Sequence, residues 1–225
     1  SRWCLERTVR DHAMRVDVEA LKNASQFLAS TSKKVLDTTS LDTLRGLEGE
    51  AATSYFKVFD EMIINQKDAF KFTVRSRRPP LDRVNAMLSF GYSILASDCA
   101  GALESAGLDS YVGFMHRDRP GRESLALDLM EELRSVFVDR LVVSMINTRA
   151  ITEKQFDKFE NGAVMLNDAG RKVFLSAWQG KKREEIKHPY LKEKIQWGLV
   201  PYVQSLLLAR YLRGDLDAYP PFLWK

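Results

Sequence analysis

A histidine and two carboxylates near the middle of the chain have the residue types and spacing of a divalent-metal site. His116 lies in a loop that contains glycines, and Asp128 and Glu131 are three residues apart in a predicted helix. Residues three apart project from the same side of a helix, so like charges there repel unless a cation or an arginine lies between them. An imidazole with carboxylates forms a mixed nitrogen and oxygen ligand set, which suits Mn²⁺ and tolerates Mg²⁺.

Each of these residues also has a structural interpretation. A single loop histidine is more often part of the packing than a metal ligand, and carboxylates near the start of a helix are commonly caps. Asp128 and Glu131 lie two turns inside the predicted helix, which is deep for capping. The spacing alone therefore leaves both interpretations open.

Glu48 is a further carboxylate that could join such a site. It interrupts an apolar stripe along a predicted helix and stands between Gly46 and Gly49, so we expect its carboxylate to face the interior. An unpaired charge in that position would be costly. A metal ion could satisfy it, and so could a salt bridge or a partly exposed position, and the sequence leaves these alternatives open.

Basic residues are concentrated in three short segments. They are Arg75, Arg77 and Arg78, then Arg117, Arg119 and Arg122, then Lys181, Lys182 and Arg183. If these segments bind DNA, they do so through phosphate groups, with an affinity that falls steeply with salt and with little sequence readout. Solvated loops are the alternative, and the net charge of +4 favours a polyanionic partner only slightly.

Several function classes lack their signatures in this sequence. There is no Gly-x-x-x-x-Gly-Lys phosphate loop and no Gly-x-Gly-x-x-Gly dinucleotide turn. Cys4 and Cys99 form no Cys-x-x-Cys pair, which argues against a zinc site or a redox dithiol and fits a reducing cytoplasm. No run approaches the roughly 20 apolar residues of a membrane span, so we expect no membrane association.

Hydrophobic periodicity predicts a mainly α fold, a helical bundle with one short β-hairpin, in a single domain over residues 1–225. Two predicted helices begin after the N-caps Asp17 and Ser40. A long helix is predicted from Leu81 to Ala106, with Gly107 ending it. Further helices are predicted from Glu123 to Asn147, after Asp168, and from near Pro189 with a bend at Pro201. The hairpin runs from Lys158 to Leu166, with Asn161 and Gly162 at positive φ in its turn.

Four separated stretches resemble the CRISPR spacer-acquisition integrases. They are LRGLEGEAA from Leu44, PLDRVNAML from Pro80, GLDSYVGFMH from Gly107 and SLALDLME from Ser124. The resemblance continues through RSRRPPLDRVNAMLSFGY and the tail LLLARYLRGDLDAYPPFLWK, so it covers essentially the whole chain. It is closest to the versions found in type I-C systems.

The resemblance implies a ligand set for one divalent metal ion, Mg²⁺ or Mn²⁺. The positions of the three ligands are Glu48, His116 and Glu131. Asp128 matches a nearby acid that supports the site, and Glu132 is the alternative to Glu131 as a ligand. Asn85, on the long helix, is expected to form a supporting hydrogen bond rather than to take part in the chemistry.

The resemblance also implies the organisation and function of the whole protein. Members carry a small N-terminal β domain ahead of a helical catalytic domain, and only the helical part is recognisable here, so we expect the chain to be a fragment. The expected activity is that of a metal-dependent DNA endonuclease and integrase, which joins the 3′-hydroxyls of prespacer DNA into the repeat array by transesterification. The expected partners are DNA, a second copy in a homodimer and a small ferredoxin-like CRISPR adaptation protein.

Two other functions remain open at this point. The first is a noncatalytic helical DNA-binding scaffold, in which the acids merely form salt bridges. The second is a metal nuclease without sequence specificity and without joining activity. Metal titration distinguishes the scaffold from an enzyme, and a joining assay with a repeat-containing target distinguishes an integrase from a nuclease.

Overall fold

Helices dominate the computed structural model, which describes residues 1–117 and 119–224. Eight α-helices lie in these ranges: α1 Arg2–His12, α2 Val18–Leu36, α3 Leu41–Lys57, α4 Arg83–Ser105, α5 Ser124–Leu133, α6 Arg140–Asn147, α7 Asp168–Arg183 and α8 Val200–Leu212. Two antiparallel strand pairs lie in the same ranges: β1 Phe156–Lys158 with β2 Val164–Leu166, and β3 Glu185–Lys187 with β4 Lys194–Gln196. The predicted mainly α fold is confirmed.

Local cap chemistry sets helix ends that the sequence predicts. The Asp17 Oδ1 atom accepts a hydrogen bond from the Ala20 amide at 2.9 Å, and the Ser40 Oγ atom accepts one from the Thr43 amide at 3.4 Å. Gly107 follows α4 with φ at +78°, a left-handed conformation that is accessible to glycine without strain. Both N-caps and the C-terminal glycine are confirmed.

The chain divides into two compact units, each made of two separate stretches. Unit 1 comprises Ser1–Ser89 and Val142–Val173, and unit 2 comprises Phe90–Leu141 and the chain from Phe174 onward. The boundaries fall inside α4, α6 and α7. The organisation as one domain over residues 1–225 stays a prediction.

Unit 1 has an aromatic cluster at the end of α3. Tyr55, Phe56 and Phe59 contact one another at ring-centroid distances of 5.3 to 5.8 Å, and Phe72 lies 5.1 Å from Phe59. The first half of α3 differs from the prediction, because Leu41 is 49% exposed. The apolar stripe of this helix is therefore fully buried only toward its C-terminal end.

The predicted hairpin is confirmed, but its turn is made differently. Strands β1 and β2 pair in antiparallel register, and Gly162 has the predicted positive φ, at +79°. Asn161 does not have a positive φ, so that part of the prediction is wrong. Its Oδ1 atom instead accepts a hydrogen bond from the Ala163 amide at 3.0 Å, because a longer hairpin connection needs only one left-handed residue.

A second strand pair replaces the start of the predicted last helix. Strands β3 and β4 pair where a helix from Pro189 is expected, and Lys192 turns between them at φ +62°. Helix α8 begins only at Val200, with Pro201 in its first turn. The expected bend at Pro201 is therefore wrong, since a proline in the first turn starts a helix without breaking a hydrogen bond.

The predicted helix from Glu123 to Asn147 contains a π-helical segment, Arg134–Asp139, between α5 and α6. Residues 135–139 of this segment are buried, and the Phe137 ring lies 4.7 Å from the Trp178 ring. Hydrophobic spacing does not distinguish a π turn from an α turn within a continuous buried stretch. The sequence therefore predicts the helix but not its change of pitch.

The segment after α8 is fastened to α5 through one carboxylate. Glu132 accepts hydrogen bonds from the Phe222 amide at 2.7 Å, the Tyr219 hydroxyl at 2.7 Å and the Gln204 side-chain amide at 3.0 Å. Burial raises the pKa of the Glu132 carboxyl, and these three bonds oppose that change. The tail thus holds the helix that carries the candidate metal-site acids.

His188 extends this polar network within unit 2. Its Nδ1 atom accepts hydrogen bonds from the Tyr190 and Leu191 amides at 3.3 and 3.2 Å. The ring proton therefore lies on Nε2, which donates to Gln204 Oε1 at 3.1 Å. Burial lowers the pKa of His188, whereas the bond to Gln204 acts in the opposite direction.

Removing one donor from this network should destabilise the protein. In Tyr219→Phe, Glu132 loses a hydroxyl donor and Gln204 loses an acceptor, so we expect the free energy of unfolding to fall by about 1–3 kcal/mol. Urea unfolding followed by circular dichroism measures the change. Tyr211→Phe, at an exposed tyrosine of α8, is the control and should change it by less than about 0.5 kcal/mol. Equal effects in the two variants would contradict the network.

The neutral His188 ring should make stability fall as the pH drops below about 6.5. The unfolded histidine binds a proton near that pH, whereas the buried ring with its lowered pKa does not, so acid favours unfolding. Between about pH 7.5 and about pH 5, His188→Asn should lose less unfolding free energy than the wild type. Tyr211→Phe, which changes an exposed side chain of α8 and no histidine, should keep the wild-type slope. A wild-type slope in His188→Asn would refute this assignment.

Candidate functional site

The Asp128 carboxylate binds the loop that carries His116. Its Oδ2 atom accepts hydrogen bonds from the Phe114 and Met115 amides at 2.6 and 2.9 Å, and its Oδ1 atom accepts one from the His116 amide at 3.0 Å. The His116 ring adds a fourth contact, from Nδ1 to Oδ1 at 2.6 Å. Three successive backbone donors and one ring nitrogen on a single carboxylate fix both the path of the loop and the orientation of the imidazole.

Gly113 allows this close approach of the loop to α5. A Cβ atom at Gly113 would lie 2.7 Å from the Ser124 Cβ atom and 3.0 Å from Asp128 Oδ2, so a larger residue would push the loop away. The Ser110 carbonyl accepts a hydrogen bond from the Leu125 amide at 2.9 Å, which satisfies one of the unpaired amides in the first turn of α5. The loop is therefore attached to the helix at two separate points.

The contact with Asp128 decides which His116 nitrogen is available for chemistry. A carboxylate accepts hydrogen bonds, so Nδ1 carries a proton, and the neutral ring keeps its lone pair on Nε2. Metal-binding histidines commonly donate their other ring N–H to a carboxylate in this way, which fixes the tautomer and increases the basicity of the ligand. The pair therefore fits one ligand of a divalent ion with its supporting acid.

Glu131 is held by an arginine one turn further along the chain. Its Oε1 atom accepts a hydrogen bond from the Arg134 guanidinium at 2.6 Å, and that guanidinium also lies 5.3 Å from the centre of the Tyr92 ring. The Tyr92 hydroxyl in turn donates to the buried Asp139 at 2.5 Å. A cation bound by Glu131 would thus share the carboxylate with an arginine. Arg134 is not among the site residues predicted from the sequence, although its three-residue spacing from Glu131 is a usable signal.

Glu132, the alternative ligand to Glu131, already has other partners. Its two carboxylate oxygens accept three hydrogen bonds from α8 and the tail. Adjacent residues of a helix project about 100° apart, so the two acids cannot face the same ligand equally. These contacts favour Glu131 over Glu132 as the metal-site acid.

Glu48 is exposed on α3, contrary to the expected inward orientation. A Cβ atom at either Gly46 or Gly49 would meet nothing within 4 Å, so these glycines do not mark a close contact among the described residues. The expectation of a buried charge is wrong because the first half of α3 has little covering it. An exposed carboxylate is accessible to a metal ion and to solvent alike, and its role as a ligand stays a prediction.

Within residues 1–117 and 119–224, no group of three or more histidine, cysteine, aspartate and glutamate side chains is arranged to hold a metal ion. In unit 2 the structure brings His116 to Asp128 and Glu131 to Arg134. The chemistry of the donors fits Mg²⁺ or Mn²⁺. The convergence of Glu48, His116 and Glu131 on one ion stays a prediction.

Asn85 is completely buried near the start of α4 and organises the basic linker before it. Its side-chain oxygen accepts hydrogen bonds from the Ser76 amide at 3.0 Å and from Arg75 at 2.6 Å, and its amide group donates to the Val74 carbonyl at 2.8 Å. Arg75 also donates to Ser89 Oγ at 3.1 Å. The guanidinium of Arg75 is thus engaged within the fold, which does not favour its predicted role as a DNA contact.

The other predicted DNA-binding arginines are accessible to solvent. Four are exposed, namely Arg77, Arg78, Arg117 and Arg119, and Arg122 is half-buried. Exposed guanidinium groups can reach phosphate oxygens without loss of packing in the protein. Their contacts with DNA stay predictions.

Helix α4 is long and apolar enough, by length and composition alone, to cross a membrane. Its most apolar stretch is 44% buried inside the protein. The core helix of a soluble protein meets the same criterion, so this single helix is weak support for a membrane location.

Comparison with known proteins shows that most of the chain matches one protein family. The family model described as CRISPR associated protein Cas1 matches residues 1–180. The chain is 52% identical over 225 residues to CRISPR-associated endonuclease Cas1 1 of Chlorobaculum tepidum. That match covers 100% of this chain and 66% of the relative, so the chain spans about two thirds of the length of this curated protein.

Two solved structures share the fold. A casposase bound to integration product superposes with a TM-score of 0.76 and 29% identity, over 88% of this chain and 58% of that chain. The Cas6-RT-Cas1--Cas2 complex superposes with a TM-score of 0.82 and 25% identity, over 100% of this chain and 24% of that chain. With a family model that matches well over half of the residues, the chain belongs to the Cas1 family of CRISPR-associated proteins.

Proposed function

We propose that this protein is a metal-dependent DNA endonuclease and integrase of CRISPR adaptation, which joins the 3′-hydroxyl ends of prespacer DNA to the repeat array. The observation that carries the proposal is the His116–Asp128 pair, an oriented imidazole on a loop with exposed arginines. Two likenesses support this reaction class, 52% identity to a Cas1 endonuclease and structural similarity to a casposase bound to integration product.

Joining exchanges one phosphodiester bond for another. The 3′-oxygen of the incoming strand forms a bond to phosphorus, the bond to the 3′-oxygen at the repeat boundary breaks, and the proton of the attacking hydroxyl passes to the departing oxygen or to solvent. With water as the attacking group, the same exchange is hydrolysis and the protein acts as an endonuclease. Neither reaction needs nucleotide hydrolysis, which agrees with a sequence that has no phosphate-binding loop.

Glu48, His116 and Glu131 would hold one divalent ion, with Asp128 supporting the His116 ring. When bound, Mg²⁺ or Mn²⁺ would polarise the scissile phosphate and lower the pKa of the attacking hydroxyl. The chain itself contributes an imidazole held in one tautomer and a carboxylate whose excess charge an arginine balances. Exposed arginines of the loop would bind the phosphate and stabilise its developing negative charge.

The proposal extends to partners and location. Similarity to a Cas6-RT-Cas1--Cas2 complex supports assembly with other CRISPR proteins, here a homodimer with a small ferredoxin-like partner. Cys4 and Cys99 are buried and are not joined in a disulfide, which fits a reducing cytoplasm. The type I-C assignment belongs to the same proposal and rests on the sequence resemblance.

Alanine substitutions at the predicted ligands should remove metal binding and joining together. We expect His116→Ala and Glu48→Ala each to lower Mn²⁺-dependent joining to a repeat-containing target by about 100-fold or more, because an ion that loses one of three protein ligands is held weakly. Titration with paramagnetic resonance detection of free Mn²⁺ measures binding, and a strand-joining gel measures activity.

The controls for this experiment are residues of the same type outside the predicted site. Glu50→Ala changes an exposed acid two residues from Glu48, and His12→Ala changes a partly exposed histidine of α1. Both should bind Mn²⁺ and join DNA like the wild type. Unchanged binding and joining in His116→Ala or Glu48→Ala would remove that residue from the site. A wild type that cleaves without joining is a nuclease, and one that neither binds Mn²⁺ nor reacts is a scaffold.

Neutralising Asp128 should release the imidazole. Asp128→Asn keeps the shape of the side chain, but an amide cannot accept hydrogen bonds on both of its terminal atoms. We therefore expect Mn²⁺ affinity to fall by about 10- to 100-fold, and the ¹⁵N signals of His116 to change from one tautomer to a mixture. Asp157→Asn, at an exposed acid of β1, should change neither. A wild-type tautomer together with wild-type affinity in Asp128→Asn would be incompatible with this role.

A further inference from the structure

Large apolar side chains are exposed on the loop immediately before His116. Tyr111 is 47% exposed, Val112 is 59% exposed and Phe114 is 55% exposed. Single exposed apolar residues are ordinary, whereas neighbouring ones that share a short segment mark a binding surface. This segment, the aromatic patch Tyr111–Phe114, lies within five residues of the proposed metal ligand.

The two rings of the aromatic patch stand on backbone that is already fixed. The Tyr111 amide donates to Asp109 Oδ1 at 2.9 Å, and the Phe114 amide donates to Asp128 Oδ2 at 2.6 Å. The Ser110 carbonyl, immediately before Tyr111, accepts hydrogen bonds from the Leu125 and Ala126 amides in the first turn of α5. A ligand that stacks on these rings therefore does not have to order the loop, which limits the entropy lost on binding.

The charge next to the aromatic patch favours a nucleic acid as its partner. Arg117 and Arg119 are exposed directly after His116, and Arg122 ends the same loop. Asp118 stands between Arg117 and Arg119 in the sequence, so its charge offsets one of theirs. This residue lies outside the described residues. Aromatic rings beside cations that follow a phosphate backbone are typical of surfaces that bind single-stranded nucleic acid. Bases in a duplex are stacked on one another, so a ring platform fits unpaired nucleotides.

We propose that Tyr111 and Phe114 stack against unpaired bases at the 3′ end of the donor strand and so hold its last nucleotides beside His116. The inference rests on the proposed function, because the strand whose bases are held is the one whose 3′-hydroxyl reacts. Stacking recognises the faces of the bases and not their edges, so the contact accepts any sequence.

The test measures DNA binding by the full chain in buffer without divalent metal. The probe is a short duplex with a single-stranded 3′ extension that carries 2-aminopurine, whose fluorescence is quenched when it stacks on a ring. Tyr111→Ala and Phe114→Ala should each weaken binding by about 5- to 100-fold and relieve the quenching. Tyr111→Phe and Phe114→Tyr keep a ring and should keep both signals.

The control variant is Phe159→Ala, which removes an aromatic side chain of similar exposure, 52%, from the connection between β1 and β2. It should bind the probe like the wild type, and binding of a blunt duplex should be the same in all variants. Unchanged affinity and quenching in the alanine variants would overturn the proposal. Unchanged affinity with altered sedimentation of the protein would also overturn it and assign the patch to a protein contact.

Joining assays with Mn²⁺ separate this inference from the function on which it rests. If the wild type joins DNA and the alanine variants bind and join equally well, the stacking contact is wrong and the integrase function stands. If the wild type never joins DNA but shows ring-dependent quenching, the stacking contact stands and the integrase function is wrong. Reduced joining in Tyr111→Ala that Tyr111→Phe restores supports both.

Discussion

The Asp128 carboxylate is the interaction on which the candidate site depends. Three consecutive backbone amides and one imidazole converge on its two oxygens, so the same group sets the path of a loop and the tautomer of His116. Hydrogen bonds to a charged acceptor are shorter and stronger than those to a neutral one, and they become stronger still where water is excluded. These bonds hold the loop in a fixed position relative to α5, the helix to which Asp128 belongs.

Helix α5 assigns three nearby acids to three different tasks. Asp128 binds the loop, Glu131 pairs with Arg134, and Glu132 fastens the tail through Tyr219 and its neighbours. The helical period explains this division, because Asp128 lies on the same side as both later acids while those two project about 100° apart. Helix α5 therefore positions the loop, the candidate metal ligand and the tail, and a displacement of this helix would move all three.

Much of the fold follows from local sequence chemistry, whereas burial and pitch do not. The caps at Asp17 and Ser40 are predictable because each involves a side chain and an amide three residues away. The exposure of Glu48 is not predictable in this way, because an apolar stripe indicates which face of a helix can be buried but does not show whether another element packs against it. The strand at Ile186 does carry a signal, because this buried residue alternates with exposed lysine and glutamate, but a proline nearby favours the helical interpretation.

The candidate site, like the fold, can be predicted from the sequence only in part. The resemblance predicts which side chains matter, and the sequence alone predicts that paired acids need a cation or an arginine between them. The structure pairs Glu131 with an arginine, Arg134, at 2.6 Å, and gives Asp128 other partners, the His116 ring and three loop amides. Charge balance at the Glu131 carboxylate therefore does not require a metal ion. A divalent ion at Glu131 would compete with the guanidinium already in contact, and its second charge, together with the oriented imidazole of His116, would have to outweigh that contact.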